Sequence, residues 1–271
     1  MASNQIPDEI QQIQSAYRRR ILECWNIQPG ARVLEVGCGQ GDMTAVLADA
    51  VGPNGHVVAT DIATREYGSP QTLGEATDLI MQSELGERIS FVFNCFVSDR
   101  QMGFWDFGYG VMAHCSWYFT NPLDLKYELA GLHYACKNLC FAEWDSVPHS
   151  MEQLPHYLAI QIQGRIEAFQ RTDIGNVRCP FSVKQIKEAI EASGWTITSS
   201  SAPDTSDLQD ADWEIAACLA HSLDTARALN LPPNHLMLIE SEIDLLRKIA
   251  KPSGNRPLNA VALLAQRSES S

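Results

Sequence analysis

The chain has 271 residues and a net charge of −13, with 45% hydrophobic and 20% charged residues. That length holds one large domain or two small ones, and the composition supports a packed core, which excludes disorder over most of the chain. The acidic balance argues against a nucleic-acid partner, since phosphate contacts need clustered Lys and Arg, and the single run Arg18-Arg19-Arg20 is too short to reverse it.

In chain order, Met1–Glu9 has neither a basic nor an apolar leader-like stretch. No segment approaches the about 18 apolar residues of a membrane helix, so a cytoplasmic protein without a membrane span is expected. Ile6, Ile10, Ile13, Tyr17, Ile21 and Cys24 recur at helical spacing, predicting an amphipathic helix opened by Asn4 and Pro7 and closed before Pro29-Gly30. Ala31–Val36 is a short apolar strand running into glycines, and Met43–Val51 is a helix ended by Gly52-Pro53-Asn54-Gly55. Strand 56–62, helix 72–85, strands 89–96 and 107–114, helix 123–139 and strand 139–143 follow. A long helix over 151–171, helix 181–193, strand 195–200, helices 211–223 and 236–251 and a last strand 259–265 complete the chain. Strands alternating with helices mean βαβ units and a mostly parallel sheet covered on both faces. The eight cysteines form no CxxC pair and no metal spacing with His, so they are expected to be reduced, small core residues.

The most informative segment is Val33-Leu34-Glu35-Val36-Gly37-Cys38-Gly39-Gln40-Gly41-Asp42. Glycines between a strand and a helix permit positive φ and bring a ligand close to bare backbone, beside helix N-terminal amides. A dinucleotide fingerprint needs glycine where Asp42 stands, and the Lys of a phosphate-binding loop is absent. What remains is an acidic-x-G-x-G-x-G turn followed by a second strand ending in Asp61, placed to accept two ribose hydroxyls. The plainer alternative is a structural turn with Asp61 as a solvated strand end.

This segment resembles motif I of the class I S-adenosylmethionine-dependent methyltransferases, and the order of elements is similar over roughly residues 20–266. The resemblance implies an α/β, Rossmann-like doubly wound sheet of seven strands, the last antiparallel, with N-terminal and inserted lid helices. It implies S-adenosylmethionine as cofactor, with Glu35 near its ammonium, Gly37, Gly39 and Gly41 along its methionine and ribose portions, Asp61 on the ribose hydroxyls and Ile62 against the adenine. The acid that often meets the adenine amine in this family is missing after the third strand, where Asn94-Cys95-Phe96 stand instead. Asn94 or a backbone group takes its place in this reading, with Cys95 alongside and Phe96 packed on the ring.

A single domain is expected: a helical cap over 1–28, a cofactor-binding core over 29–146, a helical insert over the acceptor site at 147–180, and C-terminal strands over 181–271 with a helical insert at about 203–256. For chemistry, His114 at the end of the fourth strand is the candidate base, lining the cofactor pocket, with a hydrogen-bonded histidine that only shapes the loop as an equal alternative, and Glu143 at the end of the fifth is the other catalytic candidate. Glu143 and Asp145 lie on one side of an extended strand and are candidates for a pair, with capping of the next helix or solvation as equal alternatives. Tyr17, Trp117, Tyr118, His149 and His156 are the candidate acceptor-binding residues, with packing alone as the alternative for the aromatics. No metal site is expected. The leading reading is methyl transfer to a small molecule whose acceptor atom (O, N or C) is open. The alternatives are a non-methylating rearrangement or cyclisation on the same fold, or a non-catalytic partner subunit. Neither nucleic acid nor membrane is an expected partner, and oligomeric state is left open.

Overall fold

The computed structural model describes residues 8–99, 106–169, 175 and 177–268. The expected helix opening at Asn4 and Pro7, Ile6 and the end of the long helix at 171 lie outside them. The elements are α1 (Asp8–Glu23), β1 (Arg32–Val36), α2 (Asp42–Val51), β2 (His56–Thr60), α3 (Leu73–Met81), β3 (Ile89–Val92), β4 (Phe107–Ala113), α4 (Pro122–Ala135), β5 (Cys136–Trp144), α5 (Leu154–Glu167), α6 (Val183–Ala192), β6 (Trp195–Ser201), α7 (Asp210–Ala228), α8 (Pro233–Ile249) and β7 (Ala260–Arg267).

The strands form one sheet in the order β3-β2-β1-β4-β5-β7-β6. β1 pairs in parallel with both β2 and β4, while β7 runs antiparallel between β5 and β6. The chain crosses from one half of the sheet to the other at β1 and β4, and such a switch point opens a crevice above the carboxyl ends of the two strands. Register brings those ends together: Val36 pairs with Met112 and Ala113 with Ala142. Gly37, His114 and Glu143 therefore stand side by side at the ends of three adjacent strands.

Local chemistry explains the helix starts. Thr72, Asn121 and Ser182 each cap a helix with a reciprocal bond to the residue three positions on. The apolar face of α1 and the turn after it bury Tyr17, Ile21 and Trp25 in the main core, worth about 1.5–3 kcal/mol for each such side chain. The largest difference from the sequence expectation is at 136–139, expected as helix. Cys136 and Asn138 instead pair with Phe107 and Tyr109, so ladder hydrogen bonds offered by β4 override the local helical pattern.

The apolar interior has two parts. One sandwiches the sheet; the other, built of Ile162, Ile166, Ile215, Cys218, Ile239, Ile243 and Leu246, joins α5, α7 and α8 away from the sheet. None of the eight cysteines is in a disulfide; five of them are buried and three half-buried. Among the described residues no helix is long and apolar enough to cross a membrane, and no cluster of His, Cys, Asp or Glu could hold a metal ion.

Candidate active site

The turn after β1 takes left-handed backbone at Gly37, Gly39 and Gly41, with φ of 74°, 53° and 89°. Their surroundings differ. A Cβ on Gly37 would lie 2.4 Å from Cys115 Cβ, and one on Gly41 would lie 2.6 Å from Ile80 Cδ1, whereas one on Gly39 would meet nothing within 4 Å. Gly37 thus lets the loop after β4 pack and Gly41 lets helix α3 pack, while Gly39 faces open space.

Asp61 is held beside that space. One carboxylate oxygen accepts from the Gly39 amide and the other from the Ala63 amide, each at 2.9 Å. A carboxylate has about four acceptor positions, so each oxygen keeps one for a ligand hydroxyl. Below the turn, Glu35 is 2% exposed and accepts from Thr44 Oγ1 at 2.6 Å. Burial pushes its carboxyl up to about 7, opposed by the Thr44 bond and reinforced by Asp61 and Asp42. Three acids around one turn, one of them buried without a cation in contact, suit a ligand that brings positive charge and a pair of hydroxyls. S-adenosylmethionine has both.

Arg18 joins the site without any signal in its sequence neighbourhood. From α1 it reaches Asp42 at the start of α2, 3.6 Å away, and its charge opposes the acids around Glu35. Nothing local in the Arg18-Arg19-Arg20 run distinguishes it; only the docking of α1 does.

At the end of β4, His114 has a φ of 52°, an uncommon conformation for a non-glycine residue, and its amide still donates to Ala142 O at 2.9 Å. This turn aims the imidazole between Tyr17 and Glu143. Nδ1 lies 3.2 Å from Glu143 Oε1 and Nε2 lies 2.8 Å from the Tyr17 hydroxyl. Glu143, 1% exposed, also accepts from the Ser116 amide and hydroxyl at 3.1 and 2.7 Å and from the Trp144 amide at 3.0 Å. Ser116, likewise unsignalled by the sequence, is a buried clamp on that carboxylate. Tyr17 stacks on Trp144 with ring centroids 6.3 Å apart, and Trp144 meets the His114 ring at 5.0 Å.

The structure corrects two expectations. Glu143 and Asp145 do not pair: β5 ends at Trp144, and Asp145 beyond it binds the Val147 amide and His149 Nε2 instead. His156 is not placed to meet an acceptor. It is 1% exposed, its Nδ1 accepts from the Leu258 amide at 3.0 Å, and burial lowers its pKa to about 4, so the neutral ring pins α5 to the β7 approach. His149 sits at the rim with its side chain 55% exposed. Trp117 is buried, while Tyr118 beside it is exposed. Ile62 and Phe96 are also exposed, Asn94 has left-handed backbone with its amide on Ala63 O, and the Cys95 amide donates to Asp61 O. These last contacts fold the loop after β3 back onto the Asp61 strand end.

Comparison with known proteins agrees with this geometry. The sequence model of the protein-L-isoaspartate(D-aspartate) O-methyltransferase family matches residues 5–76, the stretch holding the glycine turn and Asp61. A methyltransferase of Diaporthe leptostromiformis, phomM', is 29% identical over 207 residues, covering 61% of this chain and 53% of its own length. The chain thus spans about half the length of the curated fungal relatives it matches. The crystal structure of a cyclopropane-fatty-acyl-phospholipid synthase-like protein from Lactobacillus casei superposes with a TM-score of 0.86 at 32% identity, over 98% of this chain and 94% of that one. A mycolic acid cyclopropane synthase complexed with S-adenosylhomocysteine shares the fold, at a TM-score of 0.56 and 18% identity, over 96% of this chain and 87% of that one. The glycine turn, the acids around it and the likeness to the Lactobacillus casei protein over 98% of this chain place it in the class I S-adenosylmethionine-dependent methyltransferase family.

Proposed function

We propose that the chain transfers a methyl group from S-adenosylmethionine to a small organic acceptor, with His114 as the general base. The observation that carries this reading is the Tyr17–His114–Glu143 hydrogen-bonded line standing at the strand end next to the glycine turn. When bound, the cofactor supplies a methyl group on a cationic sulfur, already reactive toward a nucleophile in line with it. The protein's share is positioning, exclusion of water and management of one proton.

In this reading Asp61 takes the ribose hydroxyls, Glu35 the ammonium and Arg18 the carboxylate of the methionine portion, so that complementary charges fix the cofactor's direction. Ile62 and Phe96 offer exposed apolar surface for the adenine. Glu143, saturated on three sides by donors, holds His114 by Nδ1 and leaves Nε2 as the proton-accepting nitrogen. The acidic surface and the absence of clustered Lys and Arg favour a small molecule over a nucleic acid.

The test has two arms. Calorimetry should register S-adenosylmethionine binding that Asp61→Ala abolishes, and mass spectrometry of incubations with small-molecule libraries should find products heavier by one methyl group, with S-adenosylhomocysteine formed in step. Binding without any methylated product would refute the transfer; absence of binding would refute the whole reading.

A further inference from the structure

Resting on that methyl-transfer reading, we propose that Tyr17 is a positioning residue that occupies the base until an acceptor replaces it, so that the acceptor must itself bring an O–H or N–H group to His114 Nε2. The argument is one of hydrogen-bond accounting. Glu143 receives the Ser116 amide, the Ser116 hydroxyl and the Trp144 amide, all obligate donors toward it, so its carboxylate also accepts from His114 and the imidazole proton sits on Nδ1. Nε2 then carries a bare lone pair, and the Tyr17 hydroxyl at 2.8 Å donates to it.

The base is therefore capped as it stands. Tyr17 is 1% exposed, and burial holds its phenol well above the ordinary range, so it donates a proton to this bond without surrendering it. A ligand reaches Nε2 only by taking over the bond Tyr17 makes. A protic acceptor restores it; a carboxylate, a tertiary amine or an alkene leaves the imidazole lone pair facing no donor, which costs about 1–3 kcal/mol in a buried setting.

The helix that carries Tyr17 is fastened on both sides of it. Ahead of Tyr17, Gln11 reaches Asp42 at 3.3 Å and Gln14 reaches Asp210 at 2.9 Å; behind it, Arg20 pairs with Asp207 at 2.6 Å, and Ile21 and Trp25 anchor the helix in the core. The exchange at Nε2 therefore calls for movement of the phenol side chain and not for undocking of α1. In turnover, the acceptor X–H bond breaks toward Nε2 as the X–CH3 bond forms and the S–CH3 bond breaks. The resulting imidazolium pairs with Glu143 and later loses its proton to water, leaving S-adenosylhomocysteine and the methylated product.

The groups that face His114 are Glu143 from β5, Tyr17 from α1 and the Trp144 ring, with His156 on the far face of Trp144. Arg18, Arg20 and Asp210 act on Tyr17 itself. Losing the Tyr17 donor leaves the Nε2 lone pair without its hydrogen bond.

The experiment is nitrogen-15 NMR of the histidine-labelled full chain, wild type and Tyr17→Phe, with S-adenosylhomocysteine present. The expected result is a neutral His114 ring protonated on Nδ1 in wild type, and an Nε2 resonance moved downfield in Tyr17→Phe as its hydrogen bond is lost. A proton on Nε2, or an unmoved Nε2 resonance, overturns the proposal, and the wild-type tautomer answers it even if the variant misfolds. A second arm offers matched acceptors, phenols, alcohols and secondary amines beside their fully substituted analogues and carboxylates. Turnover confined to O–H and N–H members supports it, and methylation of the substituted analogues or carboxylates overturns it. If wild type fails to bind the cofactor, or binds it and turns over no member of either set, it is the methyl-transfer reading that falls.

Discussion

The two halves of this site are built on opposite principles. In the proposed reading the cofactor side is built mostly on backbone: a strand, three glycines, a helix start and one acid after the next strand lie within residues 35–61, with Arg18, Ile62 and Phe96 added from outside that stretch. The acceptor side of that reading is made of side chains gathered from far apart: Tyr17 and His114 are separated by 97 positions and Glu143 and His114 by 29, and the Gln14–Asp210 bond that helps seat α1 spans 196. A backbone site tolerates almost any side chain around it, provided glycine stands where φ is positive. A side-chain site depends on how separately folded elements dock. The same core machinery can therefore serve different acceptors when only the docked helices change.

The contrast predicts unequal responses to substitution. The largest effect belongs to Gly39→Val, which forces a β-branched residue to a φ of 53° and fills the open space beside Asp61. Cofactor affinity should fall by about a thousandfold in calorimetry, far beyond what the about 1–3 kcal/mol of backbone strain that also lowers the melting transition accounts for. Next, Glu143→Gln replaces an acceptor-only carboxylate by an amide that cannot satisfy Ser116, Trp144 and His114 together. It should lower kcat by about a hundredfold, in the range of lost acid–base assistance, with cofactor affinity within about twofold of wild type. A drop in affinity as large as the drop in kcat would mean that the two sides are not separable.

The second apolar core offers a control of another kind. Ile243→Ala removes a fully buried side chain from the α5–α7–α8 cluster and should cost about 2–4 kcal/mol in urea unfolding, without changing cofactor affinity per folded molecule. The smallest effect concerns pH. Because Glu35 titrates near 7 in the free protein and must be ionised to meet an ammonium, cofactor affinity should rise with pH up to about 7 and level off above it. Below that point the loss should be about tenfold per pH unit, the slope of one linked proton, and Glu35→Gln should flatten the profile. A profile already flat in wild type would remove Glu35 from the ammonium site.

Much of the cofactor side is legible in the sequence, because each part announces itself locally. Gly37, Gly39, Gly41 and Asp61 sit at spacings that a strand–turn–helix–strand path explains, and the mostly parallel sheet follows from the alternation of strands and helices. The acceptor side is legible only as a set of candidates. His114 and Glu143 stand out because strand ends face the crevice, and β4–β5 pairing brings them together. Tyr17 lies on a helical face that says nothing about which ring it will meet. Arg18 looks no different from its basic neighbours, and Ser116 gives no signal at all. His156 reads as a ligand from its place after β5, although its burial and its Leu258 bond make it structural. The misplaced boundary at 136–139 has the same origin, since the pull of β4 is invisible in a window of neighbouring residues.

Residue order alone therefore settled the fold class and the cofactor turn, because short-range sterics and glycine's freedom act between neighbours in the chain. Docking of α1 settled which ring meets His114 and which arginine reaches the acids, and the packing of α5 against the approach to β7 settled that His156 is structural. Those outcomes depend on contacts between residues up to 196 positions apart, whose energies come into being only once the sheet has assembled.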